Sequence, residues 1–345
     1  MKRGARACAA AAAAGVLLVG VVGCGTGRGT AGVAGPGVPP PQALPQASGT
    51  PAECHDAKAS LRPPASVPAP GTWAADSFMA RIAKNGTLRV GVDQSTFPFG
   101  YLDPADGQMH GFDDDLLRLV AKAIFPDADT NPSRITFTVL QNDDRVDAVD
   151  EDRVDIVAMT MTVNCDRRTK NTIPKGNPPA EFSAVYFNTG QRVLVQKNTV
   201  PFPERGLAGM AGLRVCSVRG STSLDRLNDP AIAPGVVPVI GETWADCLVR
   251  LQKGQVEGVT TDATILAGLN RQDPLFTEVV GPTIGEEPYA MAIRATHPEF
   301  VRFVNAVLVK AFADETWKQL YDKHIADSLG TAHPDPPNLD WQPEK

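Results

Sequence analysis

Histidine and clustered cysteine are in short supply in this chain. Five histidines are scattered over 345 residues, and no two of the six cysteines stand two residues apart. A metal centre asks for closely spaced ligands of these types, so none is expected. Cations are also outnumbered, 33 Lys and Arg against 39 Asp and Glu. A nucleic-acid partner needs a basic surface to neutralise phosphates and is excluded on this balance. No apolar run reaches the roughly 20 residues of a membrane-spanning helix.

The first 24 residues carry a different signal. Lys2, Arg3 and Arg6 precede an almost purely apolar stretch from Ala9 to Val22, and Val21-Val22-Gly23-Cys24 closes it. A cationic start, a short apolar stretch and small residues before a cysteine resemble a bacterial lipoprotein signal. That resemblance implies export, removal of residues 1–23 and lipidation (palmitate included) of Cys24, which would anchor the chain to the outer face of the cell membrane. Removal takes away three cations, leaving 30 Lys and Arg against 39 Asp and Glu, a formal charge of −9. The remaining 322 residues favour two domains on length.

Four cysteines then remain: Cys54, Cys165, Cys216 and Cys247. An even count outside the cytoplasm points to two disulfides, with free buried thiols as the alternative. Three connectivities are possible. Cys216–Cys247 is favoured, because a strand and a helix of one lobe would carry them; Cys54–Cys165 would then tie the N-terminal arm.

Residues 24–72 are rich in Gly, Pro, Ala and Ser and read as a flexible tether. From residue 73 the pattern is α/β. Strands are expected at Leu88–Val92, Ile135–Leu140, Val154–Ala158, Arg192–Gln196, Leu213–Val218, Val236–Ile240, Val256–Thr260 and Tyr289–Ile293. Helical stripes run through Phe112, Leu116, Leu119, Val120 and Ile124, through Trp244–Gln252, and through Phe300, Phe303, Val307 and Ala311, with Trp317, Leu320 and Tyr321 on a last helix. Strands separated by helices imply mostly parallel sheets, with ligands beyond the strands' carboxyl ends. After Ile325 the chain turns polar and Pro-rich and reads as a loose tail, residues 331–345.

Four ordered segments resemble the extracytoplasmic solute-binding proteins of family 3, the polar amino-acid type. They are Gly86-Thr-Leu-Arg-Val-Gly-Val-Asp93 with Phe97-Pro-Phe-Gly-Tyr101 and Gly111-Phe-Asp-Asp-Asp-Leu116; Val154-Asp-Ile-Val-Ala-Met-Thr-Met-Thr162 with Arg167 and Phe182-Ser-Ala-Val-Tyr186; Leu213-Arg-Val-Cys-Ser-Val-Arg-Gly-Ser-Thr-Ser223; and Val256-Glu-Gly-Val-Thr-Thr-Asp262 with Glu287-Pro-Tyr-Ala-Met-Ala292. Their order and spacing fit over roughly residues 80 to 327.

The resemblance implies a two-lobed periplasmic-binding-protein fold of type II with two crossovers as hinge. Lobe 1 would hold residues 73–187 and 290–330, and lobe 2 residues 190–286. It implies no enzyme, no cofactor and a monomer. The chain would capture glutamate, aspartate, glutamine or asparagine between its lobes and hand it to the permease of an ABC importer. Alternatively it would report the ligand to a membrane sensor. A dehydratase-like enzyme on the same fold is the remote alternative and would need a general acid/base beside the pocket; a cell-wall-cleaving relative would need an added catalytic domain, for which no residues are left over.

A free amino acid is a zwitterion, and each charge needs a buried counterpart. A guanidinium answers the carboxylate with two parallel hydrogen bonds, and a carboxylate answers the ammonium. The resemblance assigns the carboxylate to Arg167 and Thr162, helped by Ser221 and Thr222 at a helix start. It assigns the ammonium to Asp262 and the Thr160 carbonyl. Asp93 would face the cleft and hold the ammonium or the ligand's side chain; Phe97 and Phe99 would stack on its aliphatic part, with one of the two in the core, and Arg145 and Arg219 are candidates for a side-chain carboxylate or amide. Asn164 departs from the family pattern, as do the extra residues Thr169–Ala180.

Overall fold

The computed structural model of the chain describes residues 56–169, 180–330 and 334–343. The expectations for the signal, for lipidated Cys24 and for Cys54 lie outside these residues.

In chain order the first lobe builds α1 (Phe78–Asn85), β1 (Leu88–Val92), β2 (Ser95–Thr96), β3 (Gly100–Asp103), β4 (Gln108–His110), α2 (Phe112–Ile124), β5 (Ile135–Val139), α3 (Arg145–Asp150), β6 (Ile156–Val157), α4 (Cys165–Thr169) and β7 (Ala180–Phe182). The chain crosses on β8 (Phe187–Gln196) to β9 (Arg214–Val218), α5 (Thr222–Leu227), β10 (Val237–Gly241), α6 (Trp244–Gln252), β11 (Gly258–Asp262) and α7 (Ala263–Gln272). It returns along β12 (Thr277–Tyr289) to β13 (Ala292–Arg294), α8 (Pro298–Ala313), α9 (Thr316–His324) and α10 (Ala326–Leu329).

Local chemistry sets these bounds. Ser77 caps α1 by accepting from the Ala80 N–H, and Gly86 ends it in the left-handed conformation. Thr243 caps α6 through the Asp246 N–H. In β1, Leu88, Val90 and Val92 are fully buried while Arg89 reaches the rim and pairs with Asp155.

Two five-stranded sheets result, ordered β5-β1-β6-β13-β7 and β10-β9-β11-β8-β12. In the first, β1 runs parallel to β5 and β6, and β13 lies antiparallel to β6 and β7. In the second, β9 runs parallel to β10 and β11, and β8 lies antiparallel to β11 and β12. This is the two-lobed type II fold. Helices α2, α8 and α9 pack Phe112, Phe300, Phe303 and Trp317 into the first lobe's core. In the second, α6 and α7 seal Leu194, Val259, Leu248 and Leu266. The two crossovers pair with each other, Phe187 with Tyr289, Asn188 with Pro288 and Thr189 with Glu287.

Several expectations change. The strand at Val154–Ala158 is reduced to Ile156–Val157, flanked by backbone bonds from the Asp155 and Ala158 N–H groups to the Arg89 and Gly91 carbonyls at 2.8 and 3.2 Å. Tyr289–Ile293 is not one strand: Tyr289 ends β12, and β13 begins at Ala292. Cys216 and Cys247 are bridged, tying β9 to α6 with Cα atoms 5.6 Å apart. Cys165 is also a disulfide cysteine; the expected Cys54 end lies outside the described residues.

The described parts of the expected tether and tail are anchored rather than loose. Ser60 is fully buried. Its hydroxyl donates to the Phe182 carbonyl at 2.7 Å, and its backbone bonds Asp340 and Gln342 at 2.9 and 2.8 Å. Arg168 of α4 donates to the Ala57 and Ala59 carbonyls at 2.7 and 3.0 Å.

Candidate functional site

The carboxyl ends of β6 and β11 face each other across the lobes, as an open α/β sheet requires of a ligand site. Arg145, Thr160, Thr162 and Arg167 from the first lobe meet Ser221, Thr222, Asp262 and Trp244 from the second around one cavity of about 10 Å³. That is room for about one water, so the lobes are shut on each other here. A second cavity of about 160 Å³ adjoins it through shared Asn142 and Trp244, and Asp93 lines it.

Arg145, expected only as a candidate, is 3% exposed at the start of α3. Its guanidinium donates to three carbonyls, Asn142 at 2.7 Å, Met159 at 3.1 Å and Gly220 at 3.0 Å. Arg167, on α4, donates to the Thr162 carbonyl and to Gly220 at 3.1 Å. Among the described residues neither arginine is ion-paired to a carboxylate. Burial, aided by the neighbouring Arg167 charge, pushes Arg145 down to about 9, and burial pushes Arg167 down to about 10.

Asp262 ends β11 and is 4% exposed. Tyr289 donates its hydroxyl to it at 2.6 Å, and Ser223 at 3.4 Å. Burial raises its pKa, opposed by Tyr289, Arg226 and Arg167. Asp262 lines the cavity, its carboxylate held by Tyr289 and Ser223 rather than by a cap bond to α7.

Thr160 stands in the left-handed region at φ 44°, unusual for a β-branched residue. Its N–H donates at 2.7 Å to Asp113, a buried carboxylate that also accepts from the Tyr186 hydroxyl at 2.7 Å. Burial outweighs both bonds and lifts Asp113 to about 7. Thr162 donates its hydroxyl to Glu287, not to the open cavity. Ser221 caps α5 by accepting from the Leu224 N–H at 3.1 Å, and donates to the Val218 carbonyl at 2.7 Å.

Other expectations are corrected or refined. Phe99 is fully buried in the first lobe's core, edge-on to Phe112, Phe187 and Tyr289, and does not reach the cleft. Phe97 lines neither cavity; its ring lies 5.0 Å from Tyr101. Its backbone instead meets the second lobe, where a Cβ on Gly268 of α7 would fall 1.8 Å from the Phe97 carbonyl oxygen. Gly220 makes the matching approach on the other rim: its Cβ would fall 2.6 Å from Asp143 Cα. Arg219 is half exposed and faces Asp143 and Glu242 at 3.9 and 3.6 Å, so it is a rim residue. Asp93 accepts from the Ser95 N–H at 2.7 Å and the Thr96 hydroxyl at 2.8 Å, leaving it half-buried beside the second cavity.

Sequence reasoning missed Trp244, Asn142, Tyr289, Arg226 and the inward role of Glu287. Trp244 follows a capping threonine at a helix start, a place where a large apolar side chain can face a cleft. Asn142 acts through Arg145, three residues on, while Tyr289, Arg226 and Glu287 act through partners 27, 61 and 125 residues away along the chain.

A family model for bacterial extracellular solute-binding proteins, family 3, matches residues 88–327. The glutamine-binding protein GlnH of an ABC transporter of Bacillus subtilis is 28% identical, over 72% of this chain and 85% of that protein. The glutamate-binding protein GluB of Corynebacterium glutamicum is also 28% identical, over 73% of this chain and 82% of its own length. Among solved structures, an ancestral arginine-binding protein bound to glutamine superposes with a TM-score of 0.59 at 28% identity, covering 69% of this chain and 97% of that one.

Proposed function

The chain belongs to the bacterial extracellular solute-binding proteins of family 3, and on that premise we propose that it captures an acidic amino acid, glutamate or aspartate, between its lobes. The observation that carries this is the charge of the cavity. Two enclosed guanidiniums, Arg145 and Arg167, hold only carbonyls, and one enclosed carboxylate, Asp262, lines the same cavity; half-buried Asp93, tied to Ser95 and Thr96, acts on Arg145 from the adjoining cavity, outside that set. Burying unpaired charge costs several kcal/mol. A ligand with two carboxylates and one ammonium balances the set; a neutral amide leaves one guanidinium uncompensated.

Arg167 then takes the α-carboxylate in a two-bond fork, Asp262 and the Thr160 carbonyl take the ammonium, and Arg145 takes the side-chain carboxylate. Ser221 caps α5, so that the backbone N–H of Thr222, not its hydroxyl, approaches the α-carboxylate from the second lobe. The ligand stabilises the closed form because it touches both lobes. Lobe 1 spans 73–187 and 290–330 and lobe 2 spans 190–286, with the paired crossovers as hinge. The protein is tethered to the membrane through Cys24 and delivers its ligand, as a monomer, to the permease of an ABC importer.

A thermal-shift screen of the soluble form, residues 25–345, against all amino acids tests the reading. Glutamate or aspartate should give the largest stabilisation, with glutamine and asparagine weaker. Arginine or lysine at the top would overturn it.

A further inference from the structure

Glu287 lies on β12 where the chain crosses back between lobes, and it is fully buried. It stands in register with Thr189 of the other crossover. One carboxylate oxygen, Oε2, accepts from the Thr162 hydroxyl of the first lobe and, at 2.8 Å, from the Thr222 hydroxyl of the second. The other oxygen, Oε1, accepts from Arg226 of α5. Arg226 is held in turn by the Glu286 carbonyl at 3.3 Å. Room for it comes from Gly285, where a Cβ would sit 2.8 Å from its Nη2.

We infer that Glu287 is a positioning residue of the closed site, a hinge carboxylate that takes the hydroxyl hydrogens of Thr162 and Thr222 from opposite lobes. A threonine hydroxyl has one hydrogen and two lone pairs. With both hydrogens committed to Glu287, the two hydroxyls present lone pairs to the cavity. They serve the ligand's ammonium as acceptors beside Asp262, and carboxylate binding falls to the arginines. The arrangement also couples the site to closure. Thr162 and Thr222 reach one oxygen together only when the lobes meet, so the bonds hold the closed form and slow its opening.

This inference rests on the ligand reading only for its affinity arm. Stopped-flow fluorescence with L-glutamate, using Trp244 in the cavity wall, gives association and dissociation rates. A donor–acceptor pair with one dye on each lobe gives the interlobe distance with and without ligand. Four variants are compared with wild type: Glu287→Gln, Thr222→Val, the two combined, and Thr222→Ser. Thr222→Val leaves the Glu287–Arg226 pair intact and keeps the test alive if Glu287→Gln folds poorly. A hydrogen bond to a charged group is worth about 1.5–3 kcal/mol, which corresponds to at least about tenfold in affinity.

Glu287→Gln and Thr222→Val should each dissociate L-glutamate about tenfold faster with association little changed, and shift the interlobe distance toward open. Thr222→Ser should restore both. The double variant should be no worse than either single one. Additive losses, a slowed association alone, or unchanged interlobe distances in both variants would overturn the inference. If wild type ignores L-glutamate, the ligand reading fails by itself, and the interlobe distances alone decide the role of Glu287.

Discussion

Arg145 and Arg167 end on the same atom, the carbonyl oxygen of Gly220, at 3.0 and 3.1 Å. The arginines come from two helices of the first lobe, and the carbonyl belongs to the second. Like charges thus converge where the lobes meet, and burial holds both guanidiniums below their usual range. On the proposed reading, a dicarboxylate replaces this shared neutral acceptor with charged ones.

Replacing Arg167 by alanine should abolish amino-acid binding without unfolding the protein. Removing one partner of a buried charge pair costs roughly 3–5 kcal/mol, about 150- to several-thousand-fold in affinity. Calorimetry on the variant, with circular dichroism as the folding control, reads this; near-unchanged affinity would reject the role.

Arg145→Gln separates side-chain recognition from recognition of the α-groups. Loss of one charge-assisted pair should weaken glutamate and aspartate by about 1.5–3 kcal/mol, while glutamine and asparagine change little. Equal loss for acids and amides would make Arg145 a structural residue instead.

Gly268→Ala tests closure without touching a charge. A Cβ there would fall 1.8 Å from the Phe97 carbonyl oxygen of the other lobe, a contact that no rotamer relieves. The variant should remain folded, stay open in small-angle scattering at saturating ligand, and bind weakly. Normal compaction with ligand would show that the lobes do not approach here.

Much of the scaffold was legible from the sequence and much of the site's wiring was not. The β1, α2, α6 and α8 patterns are local: alternation or a 3.6-residue stripe facing one core, closed by caps such as Thr243. Arg167, Thr162 and Asp262 were found through ordered motifs, and they do line one cavity. Phe97 and Phe99 are identical residues two apart, and only tertiary packing sends Phe99 into the aromatic core. Glu287 meets a threonine 125 residues away, a distance at which no periodicity speaks. Ser60 and Trp341 pair from the two ends of the described chain, so a Gly/Pro-rich composition there hid an anchored segment.

Asp113 gives a pH dependence. Its carboxyl is ordinary in the unfolded chain, near 3.9, and is raised to about 7 in the folded protein. Between these values the folded state holds a proton that the unfolded state has released. Stability from this group is therefore full below about pH 4 and is lost as pH rises toward 7. Urea unfolding of Asp113→Asn should show a flatter stability profile than wild type between pH 4 and 7. An identical slope would mean that Asp113 does not titrate there.

The Cys216–Cys247 bridge closes a loop with a sequence separation of 31, which the chain-entropy account values at about 3–4 kcal/mol. Cys216→Ala with Cys247→Ala should lower the unfolding midpoint in denaturant yet preserve ligand affinity, since neither sulfur lines the cavity. A matching loss of affinity under native conditions would place the bridge in the binding machinery.

Two arginines and one aspartate line one cavity, and the proposed function has them select a ligand with two carboxylates and one ammonium. Calorimetric titration of the wild-type soluble form with L-glutamate, L-aspartate, L-glutamine and N-acetyl-L-glutamate addresses it most directly. One ligand per chain is expected, with an acidic amino acid tighter than glutamine and with N-acetyl-L-glutamate nearly silent. Binding of N-acetyl-L-glutamate as tight as that of glutamate, or glutamine tighter than both acids, would contradict the account.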